Sequence, residues 1–338
     1  MNNEKLYPWQ DELWQRWIGL RTRLPHALLL QGPQGVGKLD FAMAVAQSLL
    51  CEKPLAQGFA CHDCSSCHWF KQEAHPDFRL LQAEILSAPE EEKEGGKKPA
   101  RQISVEQIRA LSDFCNLSSH QGGYRIVLIH PAETMNRNAA NALLKTLEEP
   151  AGQMLIILIS HKPQQLLPTI LSRCLSLAVT VPPLEVSVAW LQQQGINNPA
   201  SLLAQAGFAP LLAMEGAEAG KAATEYLHFL KEISQPAKLD VYALADQLQR
   251  TEPVKVILWL QQWTYDLLSL KLTGKIRYTV ESIDLINNIA KNIELNNLLR
   301  FQKELTVAKR EALHPLNPKL LFESLLLSYR HLTTHHVR

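Results

Sequence analysis

What this 338-residue sequence lacks narrows its class before any motif is considered. No apolar stretch approaches the ~20 residues a membrane-spanning helix requires; runs such as Leu28–Leu30 and Met154–Ile159 are far shorter. No signal peptide is expected, because the opening MNNEKLYPWQDELWQRW is acidic and aromatic where a basic and then apolar leader would stand. There is no excess of either charge: 34 Lys and Arg face 33 Asp and Glu, a net charge of +1. That argues against a dedicated nucleic-acid binder, which carries a basic domain, and leaves open a small patch or contact made only within an assembly. No internal repeat is visible. Hydrophobic residues are not scarce: 46% apolar with 20% charged excludes a disordered chain. The length allows two or three domains with cores of their own. A cytoplasmic protein of balanced charge is therefore expected, with no membrane among its partners.

The first half alternates short apolar runs with helical stretches, the pattern of a sheet with crossover helices. Strands are expected at His26–Gln31, Phe78–Ala83, Arg125–His130 and Met154–Ser160. Helices are expected at Leu39–Leu50, at Ser104–Asn116, where Ser104 and Gln107 form a capping box, and at Asn138–Glu149, stopped by Pro150. The charged, glycine-containing stretch Ser87–Arg101 reads as a mobile loop. The alternation ends at Val181-Pro182-Pro183, and only helical patterns follow: Leu184–Gln194, Pro199–Ala206, Pro210–Met214, and a longer region from about Glu225 to Leu332. Within it Val254–Leu270 sets Trp259, Trp263, Leu267 and Leu270 on one face, which is core packing.

Between the first strand and its helix lies Gly32-Pro33-Gln34-Gly35-Val36-Gly37-Lys38-Leu39. It nearly fits the phosphate-cradling loop, in which backbone N–H groups and a lysine hold nucleotide phosphates. Leu39 occupies the position that should offer magnesium a hydroxyl, and an alkyl group cannot ligate a metal. An acidic pair should follow the strand RIVLI, yet His130 and Pro131 stand there, with Glu133 too far along to substitute simply. The loop of Gly32, Gly35, Gly37 and Lys38 is therefore expected to keep its shape without hydrolysing ATP, and ATP or ADP binding there is expected to be weak or absent.

Four of the six cysteines cluster as C-x9-C-x2-C-x2-C: Cys51, Cys61, Cys64 and Cys67. In a reducing compartment such spacing points to metal rather than disulfides, and four thiolates close a tetrahedral structural zinc site. His62, His68 and His75 are nearby alternatives, with the all-cysteine set preferred. The segment Glu52–Phe70 has Lys53 as its single Lys or Arg, so a structural or protein-facing knob is expected rather than DNA contact. Cys115 and Cys174 read as buried thiols, His75 as a loop hydrogen-bonder, and the tail HLTTHHVR as a frayed terminus.

Taken together, the phosphate loop, the CxxCxxC knob, His75-Pro76-Asp77, the block Asn141–Pro150 (NALLKTLEEP) and the block Thr169–Cys174 (TILSRC) resemble the AAA+ subunits of the bacterial clamp loader. The likeness is strong from Tyr7 to about Ala213, thin beyond, and returns at Asn317–Leu321. Leu39, His130-Pro131 and the Tyr7-Pro8-Trp9 start favour the family's stator over its ATP-hydrolysing motors. The resemblance implies three domains: an AAA+ P-loop α/β domain over 1–181 with a zinc module at about 51–67, a helical lid over 182–224, and a helical collar over 225–338. It implies that Arg173, with Ser172, acts as an arginine finger in a neighbour's ATP site; by itself Arg173 reads as a helix-capping surface residue. The lid motif that carries an arginine in motor subunits is Gly207-Phe208-Ala209-Pro210 here, without one. Ser160 falls where the family's phosphate-sensing residue lies. Implied partners are motor (gamma/tau) subunits and a clamp-opening delta subunit in a hetero-pentamer, and through them the sliding clamp and primer-template DNA in a nucleoid-associated replisome. Two alternatives remain: an ATPase using His130 or Glu133 at its magnesium, and a zinc-finger DNA-binding module.

Overall fold

The computed structural model describes residues 6–87, 100–116, 119, 123–218, 221–279, 283–312 and 316–334. It divides into two compact units, Met1–Val186 and Ser187–Arg338. The first holds five strands: β1 (Ala27–Gln31), β2 (Phe78–Leu81), β3 (Arg125–Ile129), β4 (Met154–Ser160) and β5 (Leu175–Ala178). They form one sheet in the order β2-β3-β4-β1-β5, with every adjacent pair parallel. β3 and β4 are buried at every residue, which is why they read as apolar runs, with Arg125 opening the first and Ser160 closing the second. This is the parallel α/β sheet with helical crossovers that the sequence leads one to expect of the first domain.

Crossover helices follow from local sequence rules. Ser104 and Gln107 make the reciprocal capping box, Ser104 N–H to Gln107 Oε1 at 2.9 Å and Gln107 N–H to Ser104 Oγ at 3.3 Å, opening the helix Val105–Asn116. Asn136 Oδ1 accepts from Ala139 N–H at 2.8 Å and opens the helix Arg137–Glu148, whose Ala139, Leu143 and Leu147 recur at helical spacing and are buried. β2 is shorter than expected, ending at Leu81 before the short helix Glu84–Ser87. Most of the stretch expected to be a mobile loop, 88–99, lies outside the described residues. β5 is not legible in the sequence: its four residues bury one side chain, Leu177, and it pairs on one edge alone, with β1.

The first helix, Asp11–Leu20, buries Trp14 and Trp17. Trp14 stacks on Phe59 at 4.3 Å and donates its indole N–H to Gln57 O at 3.1 Å, tying this helix to the cysteine-bearing segment.

The second unit is helical among its described residues. Helices Leu184–Gln193 (which begins in the first unit), Pro199–Gln205 and Pro210–Glu218 surround a small core of Leu191, Leu203 and Ala213. A larger core runs from Tyr226 to Tyr329 and is crossed by the helix Pro253–Thr273, with Trp259, Trp263 and Leu267 buried and Leu270 packed against it. Trp263 N–H donates to Tyr329 Oη at 2.8 Å, and that hydroxyl donates to Ile233 O at 2.9 Å. Asp266 is fully buried and accepts from the N–H groups of Arg277, Tyr278 and Thr279 and from Thr279 Oγ1. The helix Pro318–Thr334 takes in the start of the histidine-rich tail, and 335–338 lie outside the described residues. No described helix is long and apolar enough to cross a membrane.

Candidate functional site

The phosphate loop joins β1 to the helix Lys38–Leu50, with Gly37 as N-cap in the left-handed region. Glycine is obligatory at two points for steric reasons. A Cβ on Gly32 would stand 1.9 Å from Val179 O, and one on Gly37 would stand 2.5 Å from the Tyr7 ring. The outer side of the loop is held by the N-terminal segment: Trp9 Nε1 donates to Val36 O at 3.1 Å and Gln10 Nε2 to Gly37 O at 2.7 Å. The inner side is held by the loop's own lysine. Lys38 Nζ donates to Gly32 O at 2.7 Å and to Pro33 O, and the residue is 2% exposed. Burial lowers its pKa to about 8, opposed by the nearby Glu133 carboxylate. The ammonium thus serves the loop that surrounds it.

Next to it, where magnesium would need an acidic pair, two neutral imidazoles stand beside a single carboxylate, Glu133. Gln82 Nε2 lies 3.1 Å from His130 Nδ1, and His130 Nε2 lies 3.3 Å from His161 Nε2. With the Gln82 amide donating, His130 carries its proton on Nε2 and donates to His161, whose proton then sits on Nδ1. Burial lowers the two histidines to about 4 and about 3, the nearby Lys38 adding to the effect on both. Glu133 Oε1 accepts from the His161 N–H at 2.9 Å. Ser160 is buried; its hydroxyl accepts from Lys162 N–H at 3.2 Å and its carbonyl from Gly32 N–H at 3.2 Å.

At the other end of the same helix, Cys51 is the C-cap, and Cys61, Cys64 and Cys67 converge on it. The four Sγ atoms lie within 4.8 Å of one another, with Cys51–Cys61 at 3.5 Å and Cys51–Cys64 at 4.0 Å. Zinc–sulfur bonds of ~2.3 Å in a tetrahedron place sulfurs roughly 3.8 Å apart, so the cluster fits such an ion. Backbone N–H groups of Cys61 and Cys67 donate to the Cys51 and Cys64 sulfurs, at 3.2 and 3.4 Å. Among the described residues this is the one group of three or more His, Cys, Asp or Glu able to hold a metal. His62 and His68 are exposed and His75 is used elsewhere. Ser66 Oγ donates to Leu50 O at 2.5 Å, so His75 Nε2 donates to Ser66 Oγ at 2.8 Å while its Nδ1 accepts from Asp77 N–H at 3.0 Å. Asp77 in turn faces Arg125 at 3.9 Å, both nearly inaccessible. The Cys115 and Cys174 thiols are pushed up to about 11 by burial.

Arg173 stands apart from both clusters, after the short helix Pro168–Leu171. Its Nη1 donates to Thr169 O at 2.9 Å and Ser172 Oγ at 3.3 Å, and its Nη2 meets Glu148 Oε1 at 2.7 Å. Its side chain is 34% exposed and that of Glu148 49%. The roles of Gln82, His161 and Glu148 are not legible from spacing, because each depends on loops that the sheet order brings together.

The family described as DNA polymerase III, delta subunit, matches residues 11–182, and that described as DNA polymerase III, delta subunit, C terminal, matches 221–331. The DNA polymerase III subunit delta' of Pseudomonas aeruginosa is 34% identical to this chain over 96% of it and 97% of its own length. That of Yersinia pestis is 28% identical, covering 96% and 95%. That of Escherichia coli is 32% identical over 59% of this chain and 56% of its own. Among solved structures, a DNA polymerase III gamma subunit-related protein of Thermotoga maritima aligns over 96% of this chain and 100% of its own, with 21% identity and a TM-score of 0.49.

Proposed function

The chain belongs to the family of DNA polymerase III delta-prime subunits of the bacterial clamp loader, and we propose from that premise that it is the stator of the loader and not one of its motors. In this reading Arg173 enters the ATP site of an adjacent motor subunit and stabilises the charge that develops on the transferring phosphate. The observation that carries it is a pairing of opposites. An arginine stands half exposed at the edge of a P-loop domain whose own lysine is spent on Gly32 O and Pro33 O and whose magnesium positions hold Leu39 and His130. A domain in that state has nothing to hydrolyse ATP with, and nucleotide binding is weak or absent.

The cysteine cluster holds a structural zinc, a closed site with no open coordination position. In this reading the chain beyond 181 divides into a lid over 182–224 and a collar over 225–338, and the collar assembles the ring with motor and delta subunits. That assembly loads the sliding clamp onto primed DNA in the cytoplasm, at the replisome.

The test is steady-state ATP hydrolysis by the reconstituted loader. Arg173→Ala is expected to lower clamp- and DNA-stimulated hydrolysis about tenfold or more while the complex assembles normally; fingers in well-studied cases contribute ~10³–10⁵. A wild-type rate would overturn the trans role, and magnesium-dependent turnover by the purified chain alone would overturn the stator reading.

A further inference from the structure

We propose that Glu148 is a positioning residue for Arg173, fixing the guanidinium at the subunit's edge ready for a neighbour's phosphate. The proposal rests on the trans-finger reading above. Glu148 is the last residue of the helix Arg137–Glu148 and is followed by Glu149. A carboxylate there faces the negative end of the helix dipole, so local helix physics disfavours it. Its compensation comes from outside the helix, in the 2.7 Å contact with Arg173 Nη2. Thr169 O and Ser172 Oγ hold the other terminal nitrogen, Nη1. Those two acceptors lie on the short segment that carries Arg173, whereas Glu148 is the one partner belonging to a separate, long element. That helix is anchored by the buried Ala139, Ala140, Leu143 and Leu147. Glu148 therefore references the arginine to the body of the domain. A guanidinium offers five N–H donors in a planar fork, so contacts on its terminal nitrogens leave others for an incoming oxyanion. A residue that breaks a local rule without local gain marks a functional constraint.

The experiment is a double-mutant cycle in the reconstituted clamp loader, with ATP hydrolysis measured across ATP concentrations. Glu148→Ala is expected to lower kcat about three- to fivefold, the range open to a solvent-exposed ion pair, with KM for ATP unchanged. Glu148→Gln, which keeps the shape and an acceptor oxygen, is expected to fall between Ala and wild type, and it decides the matter should Ala impair assembly. In the Arg173→Ala background, Glu148→Ala is expected to have no further effect. A wild-type rate for both Glu148 variants, or an equal loss with and without Arg173, would sink the positioning role. A wild-type rate for Arg173→Ala would instead sink the finger itself, so the two failures are distinguishable.

Discussion

The helix Lys38–Leu50 carries a ligand-shaped site at each end, and the two are held in opposite ways. At its N-terminus the glycine loop keeps the shape that cradles phosphate, and backbone N–H groups at such an end favour an anion. Its functional groups, however, have turned inward: Lys38 on the loop's own carbonyls, Trp9 and Gln10 on Val36 O and Gly37 O from outside. At its C-terminus four sulfurs converge at the separations of a tetrahedral ion. The loop teaches that a phosphate-cradling backbone shape can be held by the protein's own hydrogen bonds. The cluster teaches the reverse: thiols brought this close gain little from one another, and the arrangement has the donor set and spacing that a metal ion would make favourable.

The sharpest break in the comparison comes from the metal. Replacing Cys67, which is 2% exposed, with Ser is expected to abolish stoichiometric zinc and lower Tm by about 10 °C or more, since structural zinc contributes on the order of 10 kcal/mol in small domains. Elemental analysis with thermal melts checks this, and an unchanged Tm in metal-free protein would place the cluster beside the phosphate loop as a relic. The next effect is smaller. Lys38→Met leaves the Gly32 and Pro33 carbonyls without their ammonium and is expected to cost about 1–3 kcal/mol in urea unfolding, with no change in phosphate release by the chain alone.

The smallest effect is on pH dependence. His130 and His161, lowered by burial to about 4 and about 3 from 6.5, are neutral in both states at pH 7. Between pH 6.5 and about 4 the unfolded chain takes up protons that the folded chain refuses, so stability falls as pH falls. Melts at pH 7 and pH 5 should show a steeper loss for wild type than for His161→Gln; parallel slopes would mean that the pair is hydrated and ordinary.

Much of this was readable from residues alone, for identifiable reasons. β3 and β4 announce themselves because strands buried on both faces are apolar over nearly all their length. The capping box is visible because its partners are three residues apart. The cysteines announce themselves because metal ligands need particular atoms, and Leu39 is conspicuous because an alkyl group cannot replace a hydroxyl. The hidden parts depend on long-range packing. β5 buries one side chain and so has no period to detect. The His130–His161 contact joins residues from the ends of β3 and β4, adjacent in the sheet and remote in the chain. Asp266 looks like a polar residue in a helix, and only the fold shows it gathering the N–H groups of 277–279.

The edge strand also sets the mechanics of the arginine. Leu175 is in register with Leu28 of β1, Ala178 with Gln31, and Val179 N–H reaches Gln31 O at 2.8 Å. Between Arg173 and that ladder stands one residue, Cys174. The arginine is a pointer on a very short arm, riveted to the same rail that ends in the phosphate loop. With so little slack, inserting or deleting a single residue at Cys174 would change where the arm emerges from the edge of the sheet. The strand that leads into the phosphate loop is thus also the one on which the arginine's arm is seated.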